Sequence, residues 1–217
     1  MAFRADFHTH SVASPDGGLS DAHYERMLAT GKLDFIAVTD HNTIDKAVEL
    51  HATHGDKIII GEEITTSDGE IIGLFLKKVV PAGLTATETV TKIKEQGGVV
   101  YIPHPFETVR SGVTEETLDR IGKAADIIEV HNGRAVFQNK SRAAKKWATK
   151  HQIPGAASSD AHGKSGWGRT FTVITDIPSA QNLPALLEEA EHRHKHPGLR
   201  GILYPKLNRV KKWRQHA

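Results

Sequence analysis

The sequence predicts an α/β protein in which strands and helices alternate and the sheet closes, or nearly closes, into a β/α barrel. Two observations carry this expectation. Short apolar runs recur along the chain with helix-like segments between them, and continuous apolar strands alternating with helices belong to a parallel sheet covered on both faces. The runs number about seven, which suits a barrel better than an open doubly wound sheet. At 217 residues the chain is long enough to form one such domain with a substantial core.

Taken in order, the first strand is short. Ala2, Phe3 and Phe7 give it apolar neighbours, and His8 and His10, one residue apart, project to the same face of extended chain. Ser14, Pro15, Asp16, Gly17 and Gly18 then supply loop chemistry. A helix follows in LSDAHYERMLATG, capped by Ser20 and stopped at Gly31. The next strands are FIAVTD (35–40), KIIIGEEIT (57–65), EIIGLFL (70–76), GVVYIPHP (98–105), DIIEVHN (126–132), IPGAASSDAH (153–162) and RTFTVITD (169–176). Among the intervening segments, TATETVTKIKEQGG reads as a helix that begins near Thr85 or Thr87 and ends at a glycine pair, and AVFQNKSRAAKKWATKH reads as another. No repeat and no low-complexity linker interrupts the pattern.

Composition narrows the class of function. With 38% hydrophobic and 25% charged residues the chain is neither disordered nor fibrous. No apolar run approaches the roughly 20 residues needed to span a bilayer, and MAFRADFHTH lacks the apolar core of a signal peptide, so a cytoplasmic location is expected. Cysteine is absent, which removes disulfides and thiolate ligands and leaves nitrogen and oxygen to hold any metal. The net charge of +2 is unevenly spread: from His192 onward there are eight Lys/Arg and no acid, whereas residues 1–191 carry 20 basic and 26 acidic side chains. The chain therefore divides into a barrel over 1–191 and a basic tail or packing helix over 192–217.

Function is signalled by where the polar residues stand. Nearly every strand-like run ends in residues able to bind a metal: His8 and His10; Asp40 and His41; Glu62 and Glu63; His104; Glu129 and His131; Asp160 and His162. In β/α barrels the C-terminal strand ends form the active-site rim, so these groups would converge. A lone histidine at a strand end is more often a hydrogen-bonded structural residue, and those in helix-like or tail segments, such as His23, His51, His151 and His192, are read that way. Repetition changes the balance, because burying even a neutral polar group without a partner costs roughly 2–7 kcal/mol. A metal cluster offsets that cost.

The motifs HTH near the N-terminus, TDHN (39–42), GEEIT (61–65), PHP (103–105) and SSDAH (158–162) occur in this order. Together they resemble the polymerase and histidinol phosphatase (PHP) family of metal-dependent phosphoesterases, over about residues 5–176. The resemblance implies a distorted seven-stranded (β/α)7 barrel with two or three divalent ions, Mn, Fe or Zn, at its strand ends. It implies a first site of His8, His10, Glu63 and Asp160, with Glu63 bridging to a second site completed by His104 and Glu70. A third site would use Asp16, His41 and His162. Glu70 and Asp16 stand where family members carry histidine, and the added anionic oxygen shifts preference toward Mn²⁺ or Fe²⁺ relative to zinc. Asp40, Glu129 and Asn132 are left outside the ligand set, Asp40 to orient His41 or pack beside it and the other two to order the rim.

Such a cluster would generate hydroxide at neutral pH and neutralise charge on a phosphoryl group. Asp160, His162 and His131 are candidates to move a proton to the leaving group, and Arg110 and Arg134 to hold phosphate oxygens through their planar forks. Arg169 is a weaker candidate of the same kind. The expected activity is hydrolysis of small or nucleotide-like phosphomonoesters. The alternatives are a phosphodiesterase or nuclease that grips nucleic acid through YPKLNRVKKWRQ, a histidinol phosphatase, or, in another class, a C–N hydrolase or non-catalytic barrel. If the tail instead packs, Leu203, Leu207, Val210 and Trp213 are the residues expected to face the barrel.

Overall fold

A computed structural model describes residues 1–135 and 138–216. Among these, nine strands form: β1 (Phe3–Asp6), β2 (Phe35–Val38), β3 (Ile58–Thr66), β4 (Gly69–Leu74), β5 (Val99–Ile102), β6 (Ile127–Asn132), β7 (Gly155–Ser158), β8 (Phe171–Ile174) and β9 (Glu191–Arg193). They pair in a single sheet in the order β7-β6-β5-β4-β3-β2-β1-β8-β9. The helices are α1 (Asp21–Ala29), α2 (Asp45–His54), α3 (Ala86–Glu95), α4 (Glu115–Ile121), α5 (Ser141–His151), α6 (Leu183–Glu188) and α7 (Leu199–His216). None is long and apolar enough to cross a membrane.

The wall of the barrel is β1 to β7 in consecutive order, and every apolar run read from the sequence supplies a strand. The count is nine rather than seven because RTFTVITD lies against the outer edge of β1 as β8, and Glu191–Arg193 then pairs with β8 as β9. The sheet is also mixed. The pairings β3–β4, β4–β5, β1–β8 and β8–β9 are antiparallel. Between β3 and β4 the reason is local: Thr66 pairs with Gly69 across only Ser67 and Asp68, a hairpin too short for the crossover that a parallel neighbour needs.

Two sets of contacts close the gap between β7 and the β1 side. The His10 N–H donates to the Ala161 carbonyl at 2.9 Å. Lower down, the Thr172 hydroxyl of β8 accepts from the Ala157 N–H at 2.8 Å and donates to the Ala157 carbonyl at 2.9 Å. A side chain there does the work of a ladder. Inside, Ala5, Ala37, Ile59, Ile72, Tyr101, Ile127 and Ala156, one from each of β1 to β7, meet in one buried cluster that Leu183 and Leu187 of α6 extend. Outside, Ile64, Ile71, Ile93, Ile102, Leu118 and Trp147 seal α3, α4 and α5 to the sheet.

Helix boundaries follow their caps. α1 starts after Ser20, whose backbone N–H donates to His23 Nδ1 at 3.1 Å. α3 starts after Thr85 rather than Thr87, because Thr85 and Glu88 close a reciprocal capping box. α5 begins only at Ser141, whose N–H is taken by the Asn139 side chain at 3.0 Å; Val136 and Phe137 of the predicted segment lie outside the described residues. α7 does pack on the barrel, but through Gly201, Tyr204, Pro205, Asn208 and Lys212. The apolar residues expected to face inward are instead turned out, with Leu203 48% and Trp213 70% exposed. Close approach decides this: Gly163 admits the Tyr204 ring, where a Cβ would stand 2.7 Å from it.

Candidate metal centre

The nine residues read as ligands, His8, His10, Asp16, His41, Glu63, Glu70, His104, Asp160 and His162, converge at one end of the barrel. They do so from just beyond β1, β2, β5 and β7 and from within β3 and β4. His8 and His10 stand past the last ladder pair of β1, in chain kept extended by the bridge of Thr9 to Ala161 and by the Thr39 N–H on the Thr9 carbonyl at 2.9 Å. His104 (φ 29°) and Asp160 (φ 51°) are held in the left-handed region. For residues other than glycine this costs of order 1–3 kcal/mol and is concentrated at functional sites.

His8 Nε2 and His10 Nε2 face each other at 3.0 Å. Glu63 lies 3.4 Å from the first and 3.2 Å from the second, and Asp160 Oδ1 lies 3.6 and 3.5 Å away. The opposite ring nitrogens are engaged, His8 Nδ1 with Glu129 at 3.1 Å and His10 Nδ1 with the Ser14 hydroxyl at 3.1 Å. Each imidazole is thereby turned with Nε2 toward the carboxylates. His104 Nε2 lies 3.1 Å from Glu63 Oε1 and 3.8 Å from Glu70 Oε2. His41 sits between the halves, with Nδ1 3.4 Å from Glu63 and 3.7 Å from Glu70, and Nε2 3.6 Å from Asp16. His162 gives its Nδ1 proton to the Asp160 carbonyl at 2.9 Å and aims Nε2 at Asp16 Oδ1, 3.4 Å away.

The electrostatics call for a cation. Burial alone would lower the pKa of His10, but Asp160 and Glu63 outweigh it and hold the ring up at about 9. Burial, reinforced by Glu63, pushes the Glu70 carboxyl up. His162 is forced down to about 3, chiefly by burial and then by Arg134 and His10, so it is a neutral imidazole of the kind metals bind. Asp16 Oδ1 is buried without a hydrogen-bond donor, as is His104 Nδ1. Paired imidazole nitrogens and carboxylates at these spacings fit divalent ions with nitrogen and oxygen ligands. His8, His10 and Glu63 form one such group, His41, Glu63 and Glu70 another, and His10, Asp16, His41 and His162 a third. Asp160 groups with His8 and His104, and Glu70 lies at nearly equal distance from His41 and His104, 3.7 and 3.8 Å.

Around the ligands, Glu129 and Asn132 order the rim as expected, with the Asn132 amide donating to Glu129 at 2.8 Å and to Asp160 at 3.3 Å. Asp40 does not orient His41. Its carboxylate takes the Ser11 N–H at 2.7 Å and the Ser11 hydroxyl at 2.5 Å, which fixes the loop after His10. Arg110 reaches Asp160 Oδ2 at 2.6 Å and is oriented by Glu107, while Arg134 lies 3.2 Å from both Asp160 oxygens. His131 is not brought to the cluster. A bulge in β6 next to Glu129 turns it outward, where it stacks on His194 with ring centroids 5.2 Å apart. Arg169 donates to the His196 carbonyl at 3.3 Å and not to the ligand group. Sequence reading missed Ser14, Asp6 and the α7 residues Asn208, Arg209 and Lys212, which touch candidate ligands or the loops that carry them, and Tyr101, which donates to Glu129 behind His8.

This fold and cluster define a barrel protein with buried histidine and carboxylate groups able to hold metal ions at one end. Residues 139–191 match the PHP-associated family model. The uncharacterized protein MJ1587 of Methanocaldococcus jannaschii is 32% identical over 149 residues, which is 63% of this chain and 87% of that protein. A two-domain protein from Bacteroides vulgatus containing a predicted PHP-like metal-dependent phosphoesterase superposes with a TM-score of 0.73 at 19% identity, over 96% of this chain and 70% of that one. The lesion-specific endonuclease PfuEndoQ of Pyrococcus furiosus superposes with a TM-score of 0.65 at 17% identity, over 89% of this chain and 57% of that one. The chain belongs to the polymerase and histidinol phosphatase family.

Proposed function

We propose that the protein hydrolyses phosphomonoesters of small or nucleotide-like substrates at a cluster of two or three divalent ions. The observation that carries this reading is the convergence of His8, His10, Glu63 and Asp160, with both Nε2 atoms turned inward by Glu129 and Ser14. His8, His10, Glu63 and Asp160 would hold divalent ions there, whose chemistry would be to activate a water near neutral pH and offset charge on the phosphoryl oxygens. The donor set, rich in carboxylate, favours Mn²⁺ or Fe²⁺ over Zn²⁺.

Arg110 and Arg134 favour phosphoesters over amides, because two guanidinium groups border the cluster and present planar donors suited to phosphoryl oxygens. Asp160 is kept ionised, since burial is outweighed by Arg134 and His8. His162 is neutral with its Nδ1 proton held by a carbonyl. Both therefore serve the reaction as ligands rather than as acids. A second reading, action on nucleic acid, rests on Lys206, Arg209, Lys211 and Arg214 of α7 beside the cluster. Tyr204 is committed to Gly163, which leaves Trp213 as the exposed aromatic of the helix.

The test is a panel of aryl phosphate, bis-aryl phosphate, histidinol phosphate, nucleoside phosphates and a 5′-phosphorylated oligonucleotide in Mn²⁺. Phosphate release from monoesters should vanish with chelator and fall by about 100-fold or more in His10→Ala. Preference for diesters or the oligonucleotide would move the reading to the nuclease. Turnover insensitive to chelator would reject both.

A further inference from the structure

We propose that the inner face of α7 builds the site formed by Asp16, His41 and His162, with Arg209 as the positioning residue for Asp16; this rests on the metal-centre reading above. Asn208 Nδ2 donates to the Asp16 carbonyl and to the His162 carbonyl, at 2.8 Å each. One side chain thus ties together two loops that are 146 residues apart and each carry a ligand of that site. Arg209 Nη2 holds Asp16 Oδ2 at 2.9 Å. The other oxygen, Oδ1, is left without a donor, 3.4 Å from His162 Nε2 and 3.6 Å from His41 Nε2. One carboxylate oxygen is pinned and its twin is aimed.

Lys212, one helical turn beyond Asn208, donates to the Val12 carbonyl at 2.7 Å and to the Ser14 carbonyl. The Ser14 hydroxyl in turn lies 3.1 Å from His10 Nδ1 and accepts the His41 N–H at 3.0 Å. The helix therefore reaches, directly or through one residue, every residue of this ligand group, by side chain or by main chain. Its approach depends on small residues in those loops. A Cβ on Gly18 would stand 2.8 Å from Asn208 Nδ2, and one on Gly163 2.7 Å from the Tyr204 ring.

Arg209 is 66% exposed at its side chain while Asp16 is 5% exposed. Arg209 is the solvated member of the pair, and Gln or Lys at this position keeps a donor for Asp16 Oδ2, so these variants should leave the barrel folded.

The experiment uses the full chain loaded with Mn²⁺ and desalted, with bound metal counted by mass spectrometry and affinity by calorimetry. Wild type, Arg209→Gln, Arg209→Lys and the double variant Asn208→Ala/Arg209→Ala are compared. The double variant should lose about one equivalent of Mn²⁺, or bind its weakest ion about 10–100-fold less tightly, and retain the others. Arg209→Gln should show the same loss in smaller degree, and Arg209→Lys should restore it. Wild-type stoichiometry and affinity in Arg209→Gln and the double variant would overturn the proposal while leaving the metal centre intact. A wild-type chain that binds no metal would overturn the metal-centre reading, and the proposal with it.

Discussion

Glu129 accepts four hydrogen bonds: from His8 Nδ1, the Tyr101 hydroxyl, the His104 N–H and the Asn132 amide, all between 2.7 and 3.1 Å. Two ligand histidines from different strands thus share one orienting carboxylate. Glu129→Gln replaces an acceptor oxygen by an amide nitrogen that can only donate. Calorimetry with Mn²⁺ should show affinity reduced about 10–100-fold with the fold retained; unchanged affinity would refute the orienting role. Glu62, the neighbour of Glu63 in GEEIT, has a different task. It is buried away from the cluster, accepts the Val80 N–H at 2.8 Å, and burial raises its pKa to about 7 from an ordinary 4.5. Because the folded-state value is the higher one, unfolding releases a proton between these limits, and Glu62 makes stability fall as pH rises from about 4.5 to 7. Glu62→Gln removes that dependence. Its melting temperature relative to wild type should rise across this window, by the equivalent of roughly 1–2 kcal/mol, and then level off; a flat difference would be evidence against the shift. Among the candidate ligands, His8, His10, His41, Glu63, His104, Asp160 and His162 were legible because they stand where apolar runs end, whereas Asp16, in a loop, and Glu70, which opens a run, came only from the family resemblance. The contact of Ser14 with His41, that of Asp6 with Ser159 and the true partner of Asp40 were not legible, since a hydrogen bond between residues distant in the chain leaves no trace in spacing.

At the scale of elements, the apolar runs announced the strands but not all of their directions. The β3–β4 reversal was written in T-S-D-G-E between two such runs, a Gly-containing turn signal that the alternation argument passed over. β9 was illegible for another reason: Glu-His-Arg has no apolar residue, and it pairs only because β8 offers an edge. The outward face of α7 is a third case, where helical periodicity was read correctly but docking is decided by Gly163, Gly18 and Asn208 rather than by leucines. Closure of the barrel beside β7 rests on the Thr172 hydroxyl. Thr172→Val keeps the shape and leaves the Ala157 N–H and carbonyl without partners, a cost of about 1–3 kcal/mol for each buried group. The expected fall in melting temperature is about 5–10 °C, with Thr172→Ser close to wild type. A Val variant as stable as wild type would mean that packing of β8, not the hydroxyl, closes the sheet.

For the whole molecule, charge is distributed against stability and in favour of binding. Asp16, Glu63, Glu70 and Asp160 are drawn to one end of a barrel whose body is acidic, while a helix without a single acid lies across that end. Arg110 and Arg209 pair with the outer oxygens Asp160 Oδ2 and Asp16 Oδ2, and Arg134 with both oxygens of Asp160, yet these three guanidinium groups leave Glu63 and Glu70 to histidines. The chain therefore folds against repulsion among buried carboxylates, relieved in part by protons on His10 and Glu70. A divalent ion would replace those protons with a stronger attraction, and since the ligands are scattered over the sequence it would bind the folded chain far more tightly than the unfolded one. At a concentration about 100 times the dissociation constant this linkage amounts to about 2.7 kcal/mol, or about 5–11 °C in melting temperature for a chain of this size. Mn²⁺ added to chelator-treated protein should raise the transition by that amount with saturation, and His10→Ala should abolish most of the rise. A shift of equal size in His10→Ala would place the stabilising ion elsewhere on the molecule, and no shift in wild type would mean that protons alone satisfy the cluster.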